Sequence, residues 1–151
     1  MKNSHSTKNT GFDQTAISLR LLINSTIGHL TGIINKNKIT IDNSVSPDLA
    51  IYLQQNKVAA VIYDMMAIII SNARNTTICI SADRFRDIII VNVEDHNNYN
   101  GYALSFSLMT IEADATKAGG SLCIHDAQKK VTTVSFSFPN IASVQRNAII
   151  N

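Results

Sequence analysis

Imidazoles and thiols are the side chains best suited to proton transfer, nucleophilic attack or metal binding near neutral pH. This sequence has four histidines, His5, His29, His96 and His125, and two cysteines, Cys79 and Cys123. Their spacing argues against all three chemistries. The cysteines stand apart inside alternating apolar runs rather than in a C-x-x-C pair, which predicts buried free thiols in a reducing compartment. His5 falls in a polar tail and His125 on a strand or turn, and neither has metal-ligand company. No Ser-His-Asp or Cys-His set can be argued from spacing, because such sets assemble in space.

The stretch VNVEDHNNYNGYALSFSLMTIEADATKAGGSLCI, residues 91–124, is more informative. It reads as a strand, a broken loop, a helix and another strand, with Asp95 and His96 where the strand ends. That is the layout of a nucleotide site. Yet glycine, which lets backbone pass close to a ligand, is almost missing until Gly119-Gly120.

The elements that would position these residues follow from periodicity. From about Asp13 to Asn35 apolar residues recur three or four apart, through Leu19, Ile23, Ile27, Leu30 and Ile34, as one amphipathic helix. KITI and LAIYL alternate as strands on either side of the turn-rich DNSVSPD. Lys57 to Arg74 returns to helical spacing and is apolar on most of its circumference, so it is expected to be the most buried helix. TTICISA and DIIIVNV form a hairpin across DRFRD, which reads as its solvated tip. A third helix is expected from about Ser105 to Ala118, stopped by Gly119 or Gly120. SLCIH and TTVSFSF close the chain as a second hairpin across DAQKK.

Strand pairs with helices between them predict an α/β, two-layer sandwich: one mixed sheet covered on one face by three helices. The 151 residues suit one domain. The expected division is a polar, disordered tail over 1–11, a folded domain over 12–139 and a C-terminal tail over 140–151. A formal charge of +2 is too small to argue for nucleic acid or a membrane surface. No apolar run approaches the roughly 18 residues of a membrane span, and the N-terminus lacks a signal-peptide core, so a cytoplasmic protein is expected.

At VIYDMMAIIISNAR the chain resembles the ATP-binding domain of sensor histidine kinases, which shares its fold with the Hsp90-type and MutL-type ATPases and anti-sigma-factor kinases. The resemblance runs from about Phe12 to Pro139 and includes the hairpin ending in VNVED and the later AGGSLCI. It implies a site binding Mg-ATP, with positions to match. The family's asparagine box, N-x-x-x-N-A, holds magnesium through two oxygens on one helix face. Its second asparagine matches Asn72, with Ala73 behind it, whereas the first falls on Ile68. The following lysine position is Asn75, with Arg74 as a neighbouring substitute. The adenine-binding D-x-G-x-G matches Asp95 to Tyr99, with Asn97 and Tyr99 at the glycines. Counted back from Gly119-Gly120, the helix-opening G-L-G-L falls on Ser105, Phe106, Ser107 and Leu108, leaving a helix start whose N–H groups still face an anion. The lid between the two motifs is cut to His96–Leu104.

The resemblance therefore implies cofactor-binding positions at Asn72, Asp95, Ser105, Ser107 and Leu108, with Asn72 as the metal position and no catalytic residue. A triphosphate there would go largely unneutralised. The leading expectation is a degenerate domain of bacterial two-component signalling that acts by protein contact, on a histidine phosphotransfer or dimerisation domain or on a response regulator. A working Mg-ATP kinase domain and an anti-sigma-like module are the alternatives. His29, in GHLTG, lacks the acidic and proline neighbours of a phosphoacceptor box, and His96 is placed to line what remains of the site.

Overall fold

The computed structural model of the protein describes residues 16–52 and 57–141. Ala16–Ser18 form a short strand, β1, and Ser18 caps helix α1 (Leu19–His29), its hydroxyl accepting from the Leu21 N–H at 3.2 Å. The periodicity predicts a single helix over Asp13–Asn35; the structure gives a strand and two helices, and Asp13 to Thr15 lie outside the described residues. The break falls at Leu30 (φ −105°, ψ 10°), before α2 (Thr31–Lys36). There the Thr31 hydroxyl donates to the carbonyls of Ile27 and Gly28 at 3.3 and 2.9 Å, between two glycines, Gly28 and Gly32. Side-chain competition for the backbone and weak helix formers together stop the first helix. Leu19, Ile23, Leu30 and Ile34 are buried, as their spacing predicts.

Next come β2 (Ile39–Asn43) and β3 (Ala50–Tyr52). β3 stands outside the main sheet: it pairs antiparallel with β1, Ala16 opposite Tyr52, as a separate two-stranded ribbon. Helix α3 (Lys57–Asn72) buries Val61, Ile62, Met65, Met66, Ile69 and Ile70 and is the central helix, with α1 and α2 packed on it. β4 (Thr76–Phe85) and β5 (Ile88–Asp95) then form the expected hairpin. Its turn is tighter than DRFRD, since Asp83 to Phe85 belong to β4 and only Arg86 (φ 57°) and Asp87 connect the strands.

The third helical region departs from the single helix expected over Ser105–Ala118. It opens at Gly101 as α4 (Gly101–Leu108), tightens into a 3-10 turn at Met109–Ile111, and continues as α5 (Glu112–Lys117). Gly119 ends it with φ 83°; its N–H reaches Thr116 O and that of Gly120 reaches Ala115 O, both at 2.9 Å. Only glycine adopts that left-handed turn cheaply.

β6 (Ser121–His125) and β7 (Thr132–Pro139) complete a five-stranded mixed sheet in the order β2-β4-β5-β7-β6, with β2 parallel to β4 and the other pairs antiparallel. Alternation decides its faces. Ile78, Ile80, Ile89, Val91, Val93, Val134, Phe136 and Phe138 are buried on the helix side. Thr40, Thr77, Cys79, Asn92, Glu94 and Ser135 line the other, more exposed side. Burying one such isoleucine or phenylalanine contributes about 2 kcal/mol, so this layer dominates the stability. Asn140, just past β7, is buried and tied in: its side chain accepts from the Tyr52 N–H at 2.9 Å and donates to Ala50 O at 3.3 Å, and its own N–H donates to Asp87 O at 2.7 Å.

Candidate functional site

The residues singled out in the sequence cluster around three junctions: the end of α3, the end of β5, and the start of α4. Asn72 is the last residue of α3, half-buried, and its amide donates to the carbonyl of Ile68 one turn back at 2.9 Å. Ile68 is where the sequence resemblance places the first asparagine of the box, and the helix end closes on itself there. Arg74 does the same, donating to the Ser71 and Ala73 carbonyls at 3.0 and 2.8 Å while its guanidinium lies 5.6 Å from the centre of the Tyr99 ring. Asn37, between α2 and β2, takes the Ile70 carbonyl at 3.2 Å. The carbonyls at this helix end are thereby supplied with internal donors.

Asp95 points to the helix side of the sheet and is only 3 % exposed. Its Oδ1 accepts from the Thr76 hydroxyl at 2.7 Å and from the Asn97 N–H at 3.0 Å. A buried carboxylate needs such donors, and here β4 and the turn after β5 provide them. His96 turns to the open side, its Nε2 3.2 Å from Glu94 Oε1. His29 lies exposed on α1, donating from Nδ1 to Ser25 O, and takes no part in the site.

The segment from His96 to Asn100 is fastened at successive residues. Asn97 donates to Asn75 O at 3.1 Å. The Asn98 N–H donates to Lys130 O at 2.7 Å, and its amide donates to Ala127 O at 2.7 Å and Lys129 O at 3.0 Å. Asn100 caps α4, accepting from the Ala103 N–H at 3.1 Å. The loop between β6 and β7 is thus drawn over the start of α4. A Cβ on Gly101 would overlap the Ala127 carbonyl oxygen, so glycine is required for this approach.

Ser105, Ser107 and Leu108, expected at a helix start, lie in the second half of α4. Only the first few N–H groups of a helix are free for an anion, and Leu104 already donates to Asn100 O at 3.1 Å. Leu108 is buried in the core, and the Ser107 carbonyl accepts from the Thr110 hydroxyl at 2.6 Å. At the real opening of α4 the Ala127 carbonyl oxygen stands against Gly101, while Tyr102 is exposed.

These groups do not fit magnesium and a triphosphate as they stand. The amide of Asn72, expected at the metal position, bonds its own helix, the Asp95 carboxyl is enclosed, and at the start of α4 the Ala103 N–H is already taken by the Asn100 side-chain oxygen. Among the described residues there is no group of three or more His, Cys, Asp or Glu side chains that could hold a metal ion, and no helix is long and apolar enough to cross a membrane. Thr76, Asn98 and Gly101 are the site residues that spacing did not single out. Gly101 alone carried a signal, as the one glycine between β5 and the third helical region.

No protein-family model and no curated protein matches the chain. Solved structures do. The histidine kinase AdeS of Acinetobacter baumannii matches over 88% of this chain and 71% of its own, with a TM-score of 0.68 and 10% identity. A histidine kinase from Burkholderia phymatum STM815 matches over 89% and 74%, with a TM-score of 0.69 and 16% identity. The catalytic domain of the histidine kinase ThkA matches over 85% and 97%, with a TM-score of 0.62 and 17% identity. At such identities the likeness shows the fold: it is the histidine-kinase ATPase fold that the sequence motifs suggested.

Proposed function

We propose that this chain, built on the fold of histidine-kinase catalytic domains, is a degenerate ATPase-type domain of bacterial two-component signalling that works by protein contact, with little or no ATP turnover. One observation carries the reading: Asn98 clamps the β6–β7 loop against Gly101, so the Ala127 carbonyl oxygen is packed on the first residue of the helix that would receive phosphates. Opening that clamp costs hydrogen bonds, and a triphosphate would gain neither a metal-holding pair nor a lysine at position 75 in return.

The same helix supports the contact role. Tyr102, Phe106 and Met109, spaced three or four apart along α4 and the turn that follows, are 75, 73 and 61 % exposed. Aromatic and methionine side chains in the open are characteristic of recognition surfaces. ThkA has been solved in complex with a response regulator, TrrA; a response regulator or a helical phosphotransfer or dimerisation domain is the partner class for this chain, in the cytoplasm.

Calorimetric titration with Mg-ATP and with ADP tests the reading. No binding at millimolar nucleotide is the expected result. A micromolar Kd that weakens in both Asn72→Ala and Asp95→Ala would establish a working kinase site using Asn72, Asp95 and the α4 region instead.

A further inference from the structure

Where β2 and β4 begin and β5 ends lies an open cleft of about 490 Å³. We propose that this cleft binds the phosphate group of a small polar phosphate monoester.

Its floor is one row of the sheet. Thr40 on β2 stands opposite Thr77 on β4, and the His96 N–H donates to Thr77 O at 3.1 Å, which places an imidazole next in the row. Lys38 and Lys130 also line the cleft, one before β2 and the other before β7. Among the described residues neither lysine has a carboxylate partner, and neither the Thr40 nor the Thr77 hydroxyl has a protein partner. No carboxylate is among the described lining residues. The next row on the same face carries two acids, Glu94, engaged with His96, and Asp42, which accepts from the Ser44 hydroxyl at 3.3 Å; Asp95 is turned inward and accepts from the Thr76 hydroxyl.

Two lysines without a carboxylate partner and two threonine hydroxyls in one lining suit a compact oxyanion, which takes several donors at once. The size and polarity narrow the ligand further. The space exceeds what a bare phosphate needs, and apart from the His96 imidazole, which is held beside Glu94, none of the lining side chains is aromatic or aliphatic beyond threonine methyls, so the lining is polar rather than an apolar wall for a nucleobase.

The backbone is held for the purpose. Lys38 (φ 56°) and Asn75 (φ 48°) both sit in the left-handed region, costly for lysine, and both line the cleft. Asn75 is locked by its N–H to Asn37 O at 2.9 Å and by Asn97 donating to its carbonyl at 3.1 Å. The backbone that carries Lys38 and Asn75 is therefore set before a ligand arrives, which leaves only the side chains to order.

The test is an amide-resolved NMR titration of the full chain with inorganic phosphate, then glycerol 3-phosphate, at constant ionic strength held with chloride. Saturable shifts confined to residues 38–40, 75–77, 96–97 and 130 are expected, tighter for the ester than for inorganic phosphate. Lys38→Gln and Lys130→Gln should each weaken binding about fivefold, and the pair together should abolish it. Because both lysines are exposed, the fold should survive; Thr40→Val/Thr77→Val supplies a second variant that leaves the charge unchanged and should also weaken binding. Non-saturating shifts, or affinity unchanged in the double lysine variant, would overturn the proposal. Equal affinity for the ester and inorganic phosphate would overturn the assignment to an ester. Shifts at Asn72 and α4 on adding ATP would report separately on the nucleotide question.

Discussion

Thr76 donates its hydroxyl to Asp95 Oδ1 at 2.7 Å across neighbouring strands, in a place where Asp95 is almost fully enclosed. Asp95, expected from the sequence at an adenine-reading position, is a structural acceptor here, joining the start of β4 to the end of β5. Asp95→Ala leaves the Asn97 N–H without its side-chain acceptor and the Thr76 hydroxyl with only the longer bond to Thr77 O at 3.3 Å, and should cost about 2 kcal/mol, read as a fall in the urea midpoint. Thr76→Val, which removes one donor, should cost about half as much. A loss of nucleotide affinity with unchanged stability would contradict this assignment.

Asn98→Ala removes two side-chain hydrogen bonds to the β6–β7 loop while sparing the backbone bond to Lys130. A loss of about 1–2 kcal/mol is expected. Faster hydrogen exchange should appear at residues 126–130 before anywhere in β5. Uniform acceleration across the chain would show that the clamp has no local role.

Glycine-to-alanine changes should take opposite signs at two helix positions. Gly28, in α1, has nothing within 4 Å of a new Cβ, so Gly28→Ala should stabilise by about 0.5–1 kcal/mol. Gly101→Ala meets the Ala127 carbonyl and should destabilise by about 2 kcal/mol or expel the loop. Thermal melts of the two variants decide the matter, and equal shifts would refute the close approach.

The two thiols should differ in reactivity. Burial, then the carboxylates of Asp42 and Glu94 facing Cys79 from β2 and β5, push its thiol above the ordinary value. A raised value means less thiolate at a given pH, and thiolate is what alkylates. Exposed Cys123 should therefore react first across an alkaline series, with Cys79 following only at higher pH. Asp42→Asn removes one negative neighbour, so Cys79 should react faster and its rate should rise at a lower pH. Mass mapping of iodoacetamide adducts gives the order.

Periodicity made α3 readable, because its buried positions repeat every three or four residues over a long segment, and the alternation of β4, β5 and β7 fixed their faces. Asn72 and Asp95 could be picked out because they retain the family's residue types. The third helical region was misplaced for a definite reason. Counting back from Gly119-Gly120 assumes uninterrupted helix, whereas the 3-10 turn at Met109–Ile111 interrupts α4 and α5, and the real opening lies at Gly101. The clamp was unreadable on other grounds. Asn98 and Ala127 lie far apart in sequence, and an asparagine in an asparagine-rich loop carries no mark of the carbonyl it will meet.

The Asn140 side chain, joined to both Ala50 and Tyr52 while its backbone holds Asp87, sits at the opposite end of β5 from Asn98. The molecule is consequently buttoned twice, once at each extremity of its middle strand, and the two buttons can be undone separately. Shortening the chain to Pro139 should make residues 44–52 the first target of a gentle protease while the Asn98 end stays resistant.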